Sequence, residues 1–212
     1  MSTIVATPTI IPTHWASSIL RRISVDEYER IVQSGALTDP DRIELINGFL
    51  VQKMAKSPQH GYATRKLIDD LGVLIGPGRT WRAEQPIRIP GYDEPEPDIA
   101  IARGSTEDYA FRIPEPGDVL LLVEISLTTL DYDRTDKGAA YAGGRIPVYW
   151  IVNLVHRQIE VHTDPTPTGY RTREVFSEGE SVPVVIDGRK LGEVSVSGIL
   201  PPTAAPGSAG TP

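Results

Sequence analysis

The chain is 212 residues long, carries a formal net charge of −7 and is 40% hydrophobic, which suits one domain with a sizeable core. Its apolar runs fall well short of the roughly 18 residues of a membrane helix, and having no cysteine it is denied disulfides, thiolate nucleophiles and cysteine-ligated zinc. The acidic balance excludes a domain that holds nucleic acid by bulk charge, so such a role has to rest on a local site.

Residues 1–20 contain Thr-Pro and Ile-Pro steps without periodicity and read as an extended arm. No lysine or arginine precedes Arg21, so no secretory leader is expected; with the missing cysteines this points to the cytoplasm. Ser24-Val25-Asp26-Glu27 forms a capping box. Val25, Tyr28, Ile31 and Val32 then share one helical face, with Gly35 as the stop. Residues 42–54 read as a hairpin about Asn47-Gly48, both of which tolerate positive φ; Glu44 points away from Ile43 and Leu45. Ser57-Pro58 opens a second helix with a stripe of Ala63, Leu67, Leu71, Leu74 and Ile75, ended by Gly76-Pro77-Gly78.

Residues 80–84 and 87–89 predict short strands, or one bent strand, around Pro86. Residues 91–97 read as a solvated acidic loop and 103–118 as a longer surface loop. The run 120–125 is apolar on both faces, as in a covered central strand. Asp133 is placed as the cap of a helix to Tyr141, closed by Gly143-Gly144, and 148–154 is the next buried strand. Segments 158–163, 170–176, 182–186 and 191–196 alternate and predict an antiparallel extension of the sheet. Residues 200–212 have the composition of a disordered tail, which leaves 21–199 as the domain.

Asp98 enters a strand behind Pro97, as a metal-ligating carboxylate or as a turn aspartate. Glu124 lies inside the most hydrophobic run, where a carboxylate needs a cation, a metal or a proton; Arg145 is the candidate partner in a purely structural reading. Lys137 falls near the positive pole of the expected helix, which an anion would justify; alternatively it is a surface lysine or a partner of Asp133. Tyr141 lies one turn on. Glu44 is a third candidate acid or an exposed strand residue, and Gln59 and His60 either serve the site or begin a helix. His156, Gln158, Glu160 and His162 share a strand face, read as exposed and polar in preference to a zinc site. There is no phosphate-binding glycine loop, dinucleotide fingerprint or nucleophile elbow.

Pro97-Asp98, Val123-Glu124-Ile125-Ser126, Tyr132-Asp133 with Lys137 and Tyr141, and Val148-Tyr149-Trp150-Ile151-Val152 together resemble the Uma-type family of putative restriction endonucleases, within the PD-(D/E)XK nuclease superfamily. Glu44-Leu45-Ile46-Asn47-Gly48 and Ser57-Pro58-Gln59-His60 are similar to its N-terminal signature, so the likeness spans about residues 24–165. Ser126 stands where the superfamily has lysine, and the resemblance implies that Lys137 takes that role. Asn153 replaces the usual aspartate, and Leu127 the usual proline.

The resemblance implies an α/β (α+β), restriction-endonuclease-like fold with a mixed central sheet flanked by helices. It also implies a metal-dependent endonuclease that hydrolyses DNA phosphodiester bonds with Mg²⁺, for which Mn²⁺ can substitute. Asp98, Glu124 and the backbone carbonyl of Ile125 would ligate the metal. Lys137 would position water or meet developing charge, and Glu44 would orient Lys137 or complete a second metal position. Cleavage of both strands would favour a homodimer. Two other readings compete: a catalytically silent nuclease fold acting through a protein partner, and a metal-dependent hydrolase of small phosphate esters.

Overall fold

Ser24 starts the first element as its spacing demands. Its Oγ accepts from the Glu27 N–H at 3.3 Å, while the Glu27 carboxylate accepts from the Ser24 N–H at 3.0 Å, giving helix α1 (Val25–Gln33). The computed structural model describes residues 20–38 and 41–203; nearly all of the expected arm and most of the expected tail lie outside the described residues. Val25 and Tyr28 pack on Leu45, whereas Val32 is exposed, so the apolar face of α1 is narrower than its periodicity suggested.

Strands β1 (Ile43–Ile46) and β2 (Phe49–Gln52) pair antiparallel about Asn47 and Gly48, with φ of 51° and 78°. Helix α2 (Pro58–Leu74) is capped by Ser57, whose Oγ accepts from the His60 N–H at 3.2 Å. Ala63, Leu67 and Leu71 are fully buried and Leu74 partly so.

The central sheet runs β3 (Arg79–Ala83), β4 (Ile99–Arg103), β5 (Val119–Ser126), β6 (Val148–Asn153), β7 (Gln158–Thr166), β8 (Gly169–Ser177), in spatial as well as chain order. It is mixed: β5 and β6 are parallel and every other pair is antiparallel. All eight residues of β5 are buried, as expected of a central strand. One face, with Ile101, Val123, Ile125 and Trp150, is covered by α2 and by a hairpin of β9 (Ser181–Ile186) and β10 (Arg189–Ser195) that leads into a short helix, Val196–Ile199. The other face carries Leu122, Ile151 and Tyr149 beneath Tyr141 and Ile146. No helix among the described residues is long and apolar enough to cross a membrane.

Four expectations are corrected. Residues 87–89 form no strand; Glu84 turns the chain at φ 54°, and the Ile87 and Ile89 N–H groups donate to the carbonyls of Pro95 and Asp93. The acidic loop is not solvated. Glu94 is buried because its backbone N–H and C=O both pair with Leu45. The C-terminal strands do not all extend the sheet: β7 and β8 do, while β9 and β10 make a separate ribbon. Asp133 caps no helix start, since helix α3 (Leu130–Tyr132) already precedes it. A π-helical turn, Asp133–Lys137, follows, and then helix α4 (Gly138–Gly143).

Candidate active site

Strand β4 begins one residue after Asp98 and pairs with β5 so that Ile99 lies opposite Val123. This register sets Asp98 beside the C-terminal end of β5. The Ile125 N–H donates to Asp98 Oδ2 at 2.8 Å. His60 Nε2 meets the same oxygen at 2.9 Å, and Lys56 Nζ donates to Oδ1 at 2.9 Å. Burial opposes the charge on Asp98, but hydrogen bonds and charge from His60 and Lys56 outweigh it and hold the carboxyl well below the usual range.

Glu124 projects from β5 on the face covered by α4. Lys137 Nζ donates to Glu124 Oε1 at 2.9 Å and Tyr141 Oη to the same atom at 2.5 Å. Its cation is therefore Lys137 and not Arg145. Oε2 has no hydrogen-bond partner among the described residues, and Glu124 lines the cleft. Burial and the nearby charges of Asp98, Asp133 and Glu44 push the Glu124 carboxyl up, against the pull of Lys137. Glu124, Glu44 and Asp133 more than offset the burial of Lys137 and raise its pKa, so it stays an ammonium.

Glu44 is buried rather than an exposed strand residue. Its Oε2 lies 3.3 Å from Lys137 Nζ and accepts from the Glu96 N–H at 3.0 Å. Asp133 accepts from Ser126 Oγ at 2.5 Å and Thr129 Oγ1 at 2.6 Å. Ser126 thus anchors the segment that delivers Lys137, and the ammonium comes from the π-turn instead of from β5. The Asp133 carbonyl accepts both the Gly138 N–H and Tyr149 Oη. A Cβ on Gly138 would stand 3.3 Å from that carbonyl oxygen, so glycine permits the close turn. Lys137 is well inside a helical segment that starts at Leu130, and the expected argument from the helix pole does not apply. Its position is explained by Glu124 and Glu44.

These groups line a cleft of about 830 Å³ that also includes Arg42, Lys53, Glu84 and Glu96. Six acidic side chains face four lysines and arginines there, which leaves the acidic groups two in excess. Among the described residues no three His, Asp or Glu side chains converge into a metal cage. A hard divalent ion that keeps several waters and takes one or two carboxylates fits such a donor set. Its charge would match that excess, and the unpartnered Glu124 Oε2 is an available oxygen.

Asp98, Glu124, Lys137, Glu44 and Ile125 all border this cleft. Gln59 is exposed and does not. Lys56 and Asp133 belong to it as well; sequence reasoning read Asp133 as a helix cap and part of the family motif without a role at the site, and it passed over Lys56, which stands one residue ahead of the Ser57-Pro58 helix start and carried no motif of its own. The histidine face of β7 is not the expected exposed polar surface, because Glu160 is fully buried beneath it.

The fold has a solved counterpart. The chain superposes on the crystal structure of a putative nuclease belonging to DUF820 from Anabaena variabilis ATCC 29413 with a TM-score of 0.65 at 15% identity, covering 84% of this chain and 97% of that one. Residues 25–191 match the Uma2 family, described as putative restriction endonuclease, and the chain belongs to that family. No curated protein sequence matches it significantly.

Proposed function

We propose that this protein is a metal-dependent endonuclease that hydrolyses phosphodiester bonds of DNA at the cleft between β4, β5 and the π-turn. The observation that carries this reading is the placing of two carboxylates, Asp98 and Glu124, on adjacent strands of one cleft, with the Lys137 ammonium 2.9 Å from the second.

Asp98, Glu124 and the carbonyl of Ile125 would hold Mg²⁺ or Mn²⁺. When bound, such an ion polarises the phosphate and lowers the pKa of a coordinated water. Asp98 is kept ionised by His60 and Lys56 and so is ready as a ligand. Lys137 retains its proton at neutral pH, so it acts by charge and hydrogen bonding and does not abstract a proton. It suits orienting a water or meeting charge on a phosphate oxygen. Tyr141 fixes Glu124, and Glu44 steadies Lys137 from the hairpin side. Cutting both strands of a duplex calls for two such sites, hence a homodimer, and the cysteine-free chain suits a cytoplasmic setting.

The test is supercoiled plasmid incubated with the protein and Mg²⁺ or Mn²⁺, with and without EDTA, beside Asp98→Ala and Lys137→Ala. Nicking that needs metal and is lost in both variants is expected. A folded wild type that neither nicks DNA nor binds Mg²⁺ or Mn²⁺ by calorimetry would overturn the proposal.

A further inference from the structure

A second, shallower groove opens beside the cleft and shares Leu127, Thr128, Thr129 and Tyr132 with it. Its far end is lined by Arg134 and His156, with Asp131 as the acidic member. Arg134 lies on the π-turn between Asp133 and Lys137. Its Nε and Nη2 fork onto the fully buried Glu160 at 3.1 and 2.5 Å. Arg173 from β8 donates to the same carboxylate at 2.9 Å. Two guanidinium groups meet this one carboxylate, and Asp131 balances the second of them, so the groove lacks the acidic excess of the cleft. The fork also fixes the Arg134 head group while Nη1 makes no hydrogen bond among the described residues.

His156 is oriented by the same network. Asn153 Oδ1 accepts from the His156 backbone N–H at 3.0 Å, which turns the amide nitrogen toward both Glu160 Oε1, at 3.0 Å, and His156 Nδ1, at 3.1 Å. Nδ1 also lies 3.3 Å from Asn153 Oδ1; with the amide nitrogen donating, Nδ1 accepts and the neutral ring carries its proton on Nε2. An aspartate at 153 would have no N–H to donate to either partner and would set a second carboxylate against Glu160. The groove thus presents two rigid N–H donors, from a guanidinium and an imidazole, next to a cleft suited to a phosphodiester.

Resting on the nuclease reading above, we infer that this groove is a subsite for a phosphate of the same nucleic-acid strand, flanking the scissile one, with Arg134 and His156 as its donors. Fixed, forked arginines favour phosphate recognition because little conformational freedom remains to be lost on binding. The occupant is a backbone phosphate and not a base, so the contact contributes affinity and register without sequence preference.

The experiment is fluorescence anisotropy of labelled single-stranded and duplex oligonucleotides over a salt series, in EDTA so that no cleavage occurs. In Arg134→Ala the slope of log K against log salt should fall by about 0.7 for a single strand or about 0.9 for a duplex, the value of one lost phosphate contact. Arg134→Ala loosens a buried carboxylate, so circular dichroism must show it folded. The solvent-exposed His156 makes no hydrogen bond to Glu160 itself, so His156→Glu, once circular dichroism shows it folded, gives an independent reading and should weaken binding most at low salt. Unchanged slope and affinity in these variants overturn the subsite and leave the nuclease reading standing. A wild type that binds neither polynucleotide also overturns the subsite, and the nuclease reading then stands or falls on the plasmid test. Inorganic phosphate that displaces the oligonucleotide from wild type and Arg134→Ala alike would place the anion elsewhere and also overturn the subsite.

Discussion

Lys137 Nζ lies 2.9 Å from Glu124 Oε1, and both side chains are almost wholly shielded from water. Removing one member of such a pair strands the other charge, whereas removing both can be nearly neutral. Lys137→Met should destabilise the fold by roughly 3 kcal/mol, and adding Glu124→Gln should restore much of that loss. Neither form should cleave DNA. Urea unfolding of the two singles and the double closes the cycle; a double variant as unstable as the sum of its singles would refute the coupling.

The acidic excess of the cleft predicts stabilisation by metal. Mg²⁺ or Mn²⁺ at about a hundredfold excess over Kd should add about 2.7 kcal/mol and raise Tm by roughly 5–10 °C for a domain of this size. EDTA should reverse the rise. Asp98→Asn should abolish it, which calorimetric scanning would reveal; an equal rise in that variant would place the ion elsewhere.

Gly138→Ala tests the π-turn. The added Cβ would press on the Asp133 carbonyl oxygen at 3.3 Å, against a hydrogen bond shared with Tyr149 Oη. The expected outcome is a folded protein, destabilised by about 1–3 kcal/mol, with cleavage reduced more than metal affinity because Lys137 is displaced while Asp98 is not. Calorimetric metal titration and plasmid nicking on one preparation would separate the two effects.

Glu94 predicts the pH dependence of stability. Burial, then repulsion from Glu29, pushes its carboxyl up from the ordinary 4.5 to about 8. Between these values the unfolded chain has lost the proton and the folded chain still holds it. Stability therefore falls as pH rises through this window, by up to about 1 kcal/mol per unit. Glu94→Gln should reduce the slope between pH 5 and 8 in urea unfolding, leaving the share of Glu124, whose carboxyl is also pushed up. Asp98 and Glu160, both held low, act in the opposite sense and lose their contribution only in acid, so the Glu94 window stands clear of theirs.

Much of the scaffold is legible in local chemistry. The capping box at Ser24 and Glu27, the Ser57-Pro58 helix start and the Asn47-Gly48 turn each satisfy or permit a backbone requirement within four residues, so short sequence patterns suffice to place them. The unbroken apolar run before Glu124 marks β5 as central because only a strand covered on both faces tolerates it. The same reasoning fails for the acidic loop and for the strand face bearing Glu160. There the partners lie far away in sequence: Leu45, whose backbone draws Glu94 inward, and Arg134 and Arg173, which offset the burial of Glu160.

By itself the sequence marked Asp98, Glu124 and Glu44 as candidates, as carboxylates in or beside apolar strands, and Lys137 by its place in the motif that resembles the family. Only the tertiary structure decided the partners. Lys137 reaches Glu124 across 13 residues, Lys56 reaches Asp98 across 42 and Tyr132 reaches Glu44 across 88. These pairings depend on strand register, on the π-turn that carries Lys137 inward and on the hairpin that buries Glu44. The physical reason is that a charge can be met by any opposite charge that packing brings near, and sequence spacing constrains that choice only within a turn or two.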